Sequence, residues 1–189
     1  MASEIEQSAG SAADRSSAPR AEAIFAGGCF WCTESDFDVV PGVLSTVSGY
    51  TGGHLVQPTY EQVTAGGTGH FEAVQIRYAP ETVGFGTLVQ IFLRTIDPFD
   101  GEGQFCDRGD QYRSAIFVSN DEEQLLASAA KAQAEAELGR PIATLILPAS
   151  RFFPAEDYHQ DYYRKNPVRY RFYRLTCGRD LRLKRVWRS

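Results

Sequence analysis

The chain has 189 residues, of which 43% are hydrophobic and 23% charged, and its formal net charge is −5. These values are typical of a single globular domain that is large enough to bury a sizeable core. No apolar stretch approaches the roughly 18–20 residues that span a bilayer, which excludes a protein built on membrane-spanning helices. The first twenty residues hold no apolar segment typical of a signal peptide. We therefore expect a cytoplasmic protein, or an exported one if a leader has been removed.

The four cysteines, Cys29, Cys32, Cys106 and Cys177, indicate redox chemistry. They are too few in a chain of this length to suggest a disulfide scaffold. A zinc site of four thiolates usually has two Cys-x-x-Cys pairs, and this sequence has only one such pair. We therefore expect neither a metal ion nor a bound cofactor.

The end of the chain is strongly basic. Ten of the 19 lysines and arginines lie between Arg164 and Arg188, with Asp180 the only acid among them. Such a segment can bind nucleic acid or an acidic protein partner. The pattern is more typical of a solvated strand face followed by a terminal helix. We expect no nucleic-acid binding, while docking of an acidic protein partner stays open.

The chain is organised around Gly27–Cys32, in which two glycines precede a cysteine, two aromatic residues and a second cysteine. The apolar run before it predicts a buried strand at 22–26, and the pattern after it predicts a helix at 29–40. Cys29 is then expected at a helix N-terminus, where unpaired N–H groups and the helix dipole favour a thiolate. The thiolate is the nucleophilic form of cysteine, so this placement favours chemistry over the alternative, a buried structural cysteine.

The remaining periodic segments predict a mixed fold. The first four strands and two helices follow the order β-α-β-β-α-β, which is ferredoxin-like. We therefore expect an α/β (α+β) protein with a two-layer core and additional strands and helices. The further strands are predicted at 43–50, 71–78, 114–118, 143–147 and 168–175, and the further helices at 86–96, from a capping box of Ser119 and Glu122 to Leu138, and at 180–187.

Other segments lack periodicity. Residues 51–69 and 97–113 are predicted to be long loops, which are often functional in compact domains. Residues 151–167 are predicted to be irregular with a short helical turn. Residues 1–20, rich in small and polar side chains, are expected to form a disordered leader. No repeat or linker divides residues 21–189, so we expect them to form one domain.

Glu72 is the first candidate for an acid. Residues 71–78 alternate strictly, which places Glu72 on the same face as Val74 and Ile76. A carboxyl group half-buried among apolar side chains has a raised pKa and holds its proton near neutrality. The alternative is a solvent-facing acid at the end of a strand.

Three further motifs contribute polar groups that would form a pocket with Cys29. A thiolate, a protonated carboxyl group, two phenols and two aromatic rings predict an apolar pocket with polar donors at one end. Such a pocket suits a substrate with a small apolar group and one strongly accepting oxygen. The polar groups are Tyr50 in Gly49–Gly53, Glu72 in Gly69–Val74, and Asp107 and Tyr112 in Cys106–Ser114.

Five motifs together resemble those of peptide methionine sulfoxide reductase A. They span roughly residues 22–167, in the order found in the family, and read GGCFWC, GYTGG, GHFEAV, DQYRS and EDYHQDYYRKNP. The resemblance implies an enzyme that reduces the S epimer of methionine sulfoxide, protein-bound or free, and so repairs oxidised proteins. We expect it to act as a monomer.

The resemblance also implies a role for each candidate residue. Cys29 matches the nucleophile that attacks the sulfoxide sulfur, and Glu72 matches the acid that protonates the sulfoxide oxygen. An acid is needed because that oxygen is a poor leaving group unless it is protonated. The other matches are Phe30 and Trp31 for the pocket that receives the S-methyl group, Tyr50 and Tyr112 for hydrogen bonds that assist the acid, and Asp107 for orienting the substrate.

The second thiol of the reaction is less clearly matched. The sulfenic acid left on Cys29 would condense with another thiol to a disulfide, which thioredoxin would reduce by exchange. Many members of the family have glycine in place of Cys32 and carry resolving cysteines in a glycine-rich tail, whereas the tail here is basic. Cys177 is the first candidate for the resolving cysteine, Cys32 the second, and Cys106, beside Asp107, the third.

Two other functions compete with this one. A general thiol–disulfide oxidoreductase would use Cys29 and Cys32 directly, but it leaves Glu72 and Tyr50 unexplained. A non-catalytic nucleic-acid-binding module would use the basic end, and its affinity would fall steeply with salt.

Overall fold

A six-stranded sheet lies at the centre of the protein. The computed structural model describes residues 20–187, so the predicted leader lies outside the described residues except for Arg20. The strands are β1 (Ala21–Gly27), β2 (Val43–Thr51), β3 (Phe71–Tyr78), β4 (Gly103–Gln104), β5 (Asp107–Arg108), β6 (Ser114–Val118), β7 (Leu145–Pro148) and β8 (Phe153–Pro154). The main sheet has the order β7-β6-β1-β3-β2-β8, and β4 pairs with β5 separately.

Within residues 20–187, seven α-helices and one 3-10 turn accompany the strands. They are α1 (Phe30–Phe37), α2 (Tyr60–Thr64), α3 (Phe85–Arg94), the 3-10 turn (Asp110–Tyr112), α4 (Asp121–Leu138), α5 (Tyr162–Lys165), α6 (Pro167–Thr176) and α7 (Arg179–Val186). Among residues 20–187, no helix combines the length and apolar character needed to cross a bilayer.

The predicted ferredoxin-like core is confirmed. Its members in chain order are β1, α1, β2, β3, α3 and β6, and the four strands lie side by side as β6-β1-β3-β2. All neighbours within this core are antiparallel, and only the added strand β7 runs parallel to its neighbour β6. The separation of β1 from β2 by β3 is what defines the split β-α-β-β-α-β arrangement.

A stack of three buried phenylalanines fixes the helices on the sheet. Phe25 of β1 lies 5.4 Å from Phe37 of α1 and 4.9 Å from Phe92 of α3, measured between ring centroids. All three side chains are fully buried. Rings that stack in this way contribute beyond the area that they bury. The stack therefore holds the end of α1 and the helix α3 against β1.

The prediction of a strand at 168–175 is wrong, because this segment forms α6. Pro167 occupies the first helical turn, where a missing N–H group costs nothing. Val168, Phe172 and Leu175 are exposed, so their apolar character does not mark a buried face. The alternation of apolar and basic residues therefore carried no information about a sheet.

The helix starts show what capping chemistry adds to periodicity. The predicted loop at 51–69 contains α2, which begins at a capping box of Thr59 and Gln62.

The capping box predicted for α4 is wrong by one residue. Asn120 accepts a hydrogen bond from the Glu123 N–H, and the Glu123 carboxylate accepts one from the Ser119 N–H.

The basic end is tied into the fold, so the prediction of a solvated strand face is wrong. Arg179, at the start of α7, is only 2% exposed and donates to the carbonyl oxygens of Gly27 at 3.3 Å and Thr95 at 2.7 Å. Its guanidinium lies 4.6 Å from the ring centroid of Phe105. Two further ion pairs join the same segment to the core, Arg174 to Asp36 at 2.7 Å and Arg182 to Asp97 at 2.6 Å.

Replacing Arg179 by alanine tests this anchoring. The carbonyl oxygens of Gly27 and Thr95 would lose their donor inside the protein, so we expect the free energy of unfolding to fall by about 3 kcal/mol. Urea denaturation measures it. Arg171→Ala on exposed α6 is the matched control and should change stability by less than about 0.5 kcal/mol. Equal midpoints for the two variants would contradict the anchoring.

Candidate active site

Cys29 is the N-cap of α1, as the sequence predicted. Gly28 before it has a φ of 82°, and a Cβ atom there would lie 2.5 Å from the Cβ of Gln104, so the turn requires glycine. The carbonyl oxygen of Cys29 accepts hydrogen bonds from the N–H groups of Cys32 and Thr33, at 3.1 and 3.4 Å. The strand, the glycine turn and the helix together hold Cys29 at the carboxyl end of β1.

Cys29 and Cys32 are free thiols that lie against each other inside the protein. Their exposed fractions are 7% and 2%. Burial raises the pKa of Cys29 well above its ordinary value, and the hydrogen bond to Cys32 raises it further. The same hydrogen bond lowers the pKa of Cys32 to about 7, with help from the charges of Arg179 and Arg174. Burial therefore opposes the thiolate that the helix N-terminus predicted for Cys29, and that expectation is wrong for the resting pair.

Glu72 lies next to the start of α1. Its carboxyl oxygen accepts a hydrogen bond from the N–H of Phe30 at 3.0 Å, and its side chain is buried. Burial raises the pKa of Glu72 to about 8, since the Phe30 N–H and a hydrogen bond from Tyr112 only partly offset the loss of solvent, and the charge of Asp107 adds to the rise. The predicted burial and raised pKa are both present, and the carboxyl group is protonated near neutrality.

A small cavity of about 80 Å³ opens between Cys29 and Glu72. It has room for a few heavy atoms, which excludes a bulky substrate group. Six of its eight lining residues were singled out from the sequence, and Tyr60 and Tyr173 were not. The lining residues are Cys29, Phe30, Trp31, Tyr60, Glu72, Asp107, Tyr112 and Tyr173.

Tyr50 lies behind the cavity rather than in its wall. It pairs with Glu72 in the register of β2 and β3, but its hydroxyl group donates to Glu156 at 2.9 Å. Its ring lies 5.8 Å from that of Phe30. The structure therefore places Tyr50 as a support for Phe30.

Trp31 is held in place by a residue that the sequence did not single out as functional. Its indole N–H donates to Nδ1 of His159 at 3.0 Å. Burial lowers the pKa of His159, so the ring stays neutral and accepts this hydrogen bond. Tyr162 stacks on the other side of the indole at 3.7 Å between centroids. The EDYHQDYY motif was the available signal for His159.

Tyr173 of α6 reaches Cys29. Its hydroxyl group donates to Asp107 and also interacts with the Cys29 thiol, whose pKa it lowers. It forms an edge contact with Trp31 at 5.9 Å between centroids. No motif pointed to Tyr173, because its segment was predicted to be a strand on the surface.

Cys106 and Cys177 form a disulfide, with their Cα atoms 4.9 Å apart. It joins the residue before Asp107 to the C-cap of α6. Cys106 is exposed and Cys177 is half-buried. The sulfur atoms and the Asp107 carboxylate lie close enough to resemble a metal site, but the disulfide engages both sulfurs. The free thiol beside Cys29 is thus Cys32 and not Cys177.

The fold and the cavity define a class of enzyme. A thiol with a second thiol in contact can be oxidised and then close a disulfide, and a protonated acid in the same cavity can donate to a leaving oxygen. These are the parts of an oxidoreductase that works through cysteine.

Sequence comparison agrees with this class. The profile of the family described as peptide methionine sulfoxide reductase matches residues 21–189. The chain is 54% identical over 165 residues to peptide methionine sulfoxide reductase MsrA 2 of Rhizobium meliloti, which covers 87% of this chain and 82% of that protein. It is 48% identical over 179 residues to MsrA 2 of Caulobacter vibrioides, covering 94% and 91%.

Solved structures show the same relationship. Mxr1 of Saccharomyces cerevisiae in reduced form superposes with a TM-score of 0.75 and 31% identity, covering 82% of this chain and 90% of that one. Methionine sulfoxide reductase A of Corynebacterium diphtheriae gives a TM-score of 0.69 and 34% identity, covering 79% and 76%. The chain belongs to the peptide methionine sulfoxide reductase family, which confirms the resemblance of its motifs, and it is an oxidoreductase.

The raised pKa of Glu72 should make the stability of the protein depend on pH. Because the folded-state pKa of about 8 lies above the ordinary value of 4.5, the folded state binds a proton that the unfolded state releases. The stabilising contribution of Glu72 to the free energy of unfolding is therefore fully present below pH 4.5 and is lost as the pH rises through 8. The free energy of unfolding, measured by urea denaturation across this pH range, should decline less in Glu72→Gln than in the native chain. Equal declines would contradict a protonated Glu72.

Proposed function

We propose that this chain reduces methionine S-sulfoxide, protein-bound or free, through a sulfenic acid on Cys29. The observation that carries the proposal is the presence of a nucleophilic thiol and a carboxyl group protonated near neutrality in one small cavity. A thiol alone would serve many reactions. The protonated acid adds what the departure of an oxygen requires, because it can make that oxygen a better leaving group.

The cavity fits the end of an oxidised methionine side chain. Phe30 and Trp31 form an apolar wall for the S-methyl group, and Trp31 is fixed by its hydrogen bond to His159. The sulfoxide oxygen then lies toward Glu72 and Tyr112. Asp107, held by the Tyr173 hydroxyl, orients the substrate. A site with donors on one side and an apolar wall on the other distinguishes the two sulfoxide epimers.

The reaction begins with attack of Cys29 on the sulfoxide sulfur. A bond forms between the two sulfur atoms as Glu72 gives its proton to the sulfoxide oxygen, and the proton lost by the Cys29 thiol restores Glu72. The hydroxyl group then moves to the Cys29 sulfur, the S–O and S–S bonds to the methionine sulfur break, and methionine leaves a sulfenic acid on Cys29. The Tyr173 hydroxyl group, which donates to Asp107, also lowers the pKa of Cys29 and so favours the loss of its thiol proton. The raised pKa of Cys29 keeps the thiol protonated until substrate enters.

Cys32 is the resolving thiol in this proposal. It contacts Cys29 and carries the lowered pKa of the pair, so it can attack the sulfenic acid, expel water and close a Cys29–Cys32 disulfide. Cys177, the first choice from sequence alone, is bonded to Cys106. Thioredoxin, a dithiol protein, would return the enzyme to its reduced form by exchange.

A general thiol–disulfide oxidoreductase is not favoured. Such an enzyme would have no use for a protonated Glu72 in the same cavity as the thiol. The basic end suggested nucleic-acid binding. Two of its arginines form ion pairs within the protein, Arg174 with Asp36 and Arg182 with Asp97.

The proposed setting is the cytoplasm, where thioredoxin is kept reduced. The enzyme is proposed to act there as a monomer. Cell fractionation and sedimentation of the purified chain test these two points.

The nucleophile and the acid are tested together with the separate sulfoxide epimers. We expect release of methionine from the S epimer only, no activity in Cys29→Ser, and a rate about 100-fold lower in Glu72→Gln, which is the usual range for loss of a general acid. Binding of substrate should survive in Glu72→Gln. Equal rates on the two epimers, or a Glu72→Gln rate like that of the native chain, would contradict the proposal.

Cys32 is tested by a single turnover with the Cys106–Cys177 disulfide kept intact. The native chain should end with a Cys29–Cys32 disulfide, and Cys32→Ser should end with a sulfenic acid on Cys29 that dimedone traps. Both should release one methionine. Mass mapping identifies the products. A Cys29 disulfide to any other cysteine in the native chain would assign the resolving role elsewhere.

A further inference from the structure

Glu34 of α1 is a buried acid that the reaction described above does not use. Its side chain is only 1% exposed. Burial raises its pKa to about 7, and the charges of Asp38 and Asp161 add to the rise. A buried carboxyl group costs stability unless its oxygens are hydrogen-bonded. One oxygen of Glu34 accepts a hydrogen bond from the N–H of Asp161 at 3.0 Å, which joins α1 to the segment that follows β8.

Asp161 has a left-handed backbone conformation, with φ 53° and ψ 32°. Residues other than glycine adopt this conformation rarely, and they keep it only where surrounding contacts hold it. Asp161 is also the N-cap of α5, so its backbone sets the direction in which that helix starts with Tyr162. The hydrogen bond to Glu34 therefore holds the chain at the point that aims the Tyr162 side chain.

The residues on both sides of Asp161 hold Trp31. His159 accepts a hydrogen bond from the indole N–H at 3.0 Å. The ring of Tyr162 lies parallel to the indole, with 6° between the planes and 3.7 Å between the centroids. The orientation of the indole thus depends on where this short segment lies relative to α1.

Two side-chain hydrogen-bonding groups fix the segment on the core. Gln160 accepts from the N–H of Ser48 and donates to its carbonyl oxygen, both at 2.9 Å, which joins the segment to β2. Glu34 joins it to α1, three residues after Trp31. Residues three apart are neighbours on a helix surface. Because one helix carries both the indole and the acceptor, the hydrogen bond of Glu34 sets the position of the stacked ring relative to the indole.

We propose that Glu34 is a positioning residue that sets the size of the S-methyl pocket: its hydrogen bond to Asp161 keeps Tyr162 stacked on Trp31, and the fixed indole limits the S-alkyl group that the cavity admits. Glu34 does not line the cavity, so it acts through Trp31. This inference rests on the proposed function, because the wall for the S-methyl group is part of that function.

The contact requires an oxygen acceptor and not a negative charge. A carboxyl group offers such an acceptor in both protonation states, and so does the amide oxygen of glutamine. Alanine offers none. Glu34→Gln and Glu34→Ala are therefore a matched pair, of which the first keeps the hydrogen bond to Asp161 and the second removes it.

Binding is tested in single turnovers at increasing concentrations of methionine S-sulfoxide. In Glu34→Ala the half-saturating concentration should rise about tenfold while the maximal rate stays within about twofold, the pattern of lost substrate binding. Glu34→Gln should restore both values. Phe37→Leu, which shortens a buried side chain at the far end of α1, should lower stability and leave the half-saturating concentration unchanged. An unchanged value in Glu34→Ala, or an equal rise in Glu34→Gln or Phe37→Leu, would contradict the proposal.

Pocket size is tested by comparing methionine S-sulfoxide with its S-ethyl analogue. The native chain should prefer the methyl compound by about tenfold or more, because one extra methylene is worth that much in a fitted pocket. In Glu34→Ala this preference should fall by about threefold or more. The ratio compares two substrates in one protein, so a loss of folded enzyme cancels. A native chain without the preference, or an equal preference in Glu34→Ala, would overturn the proposal.

The position of Trp31 is tested without any reaction. The chain has two tryptophans, so Trp187→Phe leaves Trp31 as the fluorescent one. Adding Glu34→Ala should lower the anisotropy of its emission and raise its quenching by acrylamide, whereas adding Glu34→Gln should change neither. Equal anisotropy and quenching in all three proteins would refute the role of Glu34, whatever the activity. A native chain that releases no methionine but shows these fluorescence changes would refute the proposed function and keep Glu34 as the residue that positions Trp31.

Discussion

The site depends on the hydrogen bond between the N–H of Phe30 and the carboxyl group of Glu72. This contact joins the first turn of α1 to β3 and brings the acid to the side of the residue that follows Cys29. The N–H group favours a carboxylate, while burial favours the protonated acid, and burial has the larger effect. Had the carboxyl group been solvated, it would be ionised at neutral pH and unable to donate a proton.

The segment between β8 and α6 acts as the support of the cavity. Glu156 accepts hydrogen bonds from the Tyr50 hydroxyl and the Tyr60 N–H, both at 2.9 Å, and His159 holds Trp31. Tyr60 is thereby fixed in the cavity wall. This segment has little regular structure, so its shape comes from side-chain hydrogen bonds to the core. The precision of the apolar wall therefore depends on polar residues outside it.

Much of the fold and the position of Cys29 at the start of α1 could be predicted, because these depend on local patterns. Strict alternation marked β3 and put Glu72 on its apolar face, and the glycine pair marked the turn before Cys29. Tyr173 could not be predicted in this way. Its helix buries little surface, so apolar spacing gave the wrong element, and its contact with Cys29 joins residues far apart in the chain. The pairing of Cys106 with Cys177 is equally non-local, since 71 residues separate them.

The most direct test of this account is the pH dependence of methionine release in a single turnover. With Glu72 as the proton donor and a pKa of about 8, the rate of the native chain should fall as the pH rises through 8, because the acid loses its proton. Glu72→Gln should be slow and should lack this fall. A native rate that stays level or rises through pH 8, or the same fall in Glu72→Gln, would contradict the central claim that a protonated Glu72 drives the reaction.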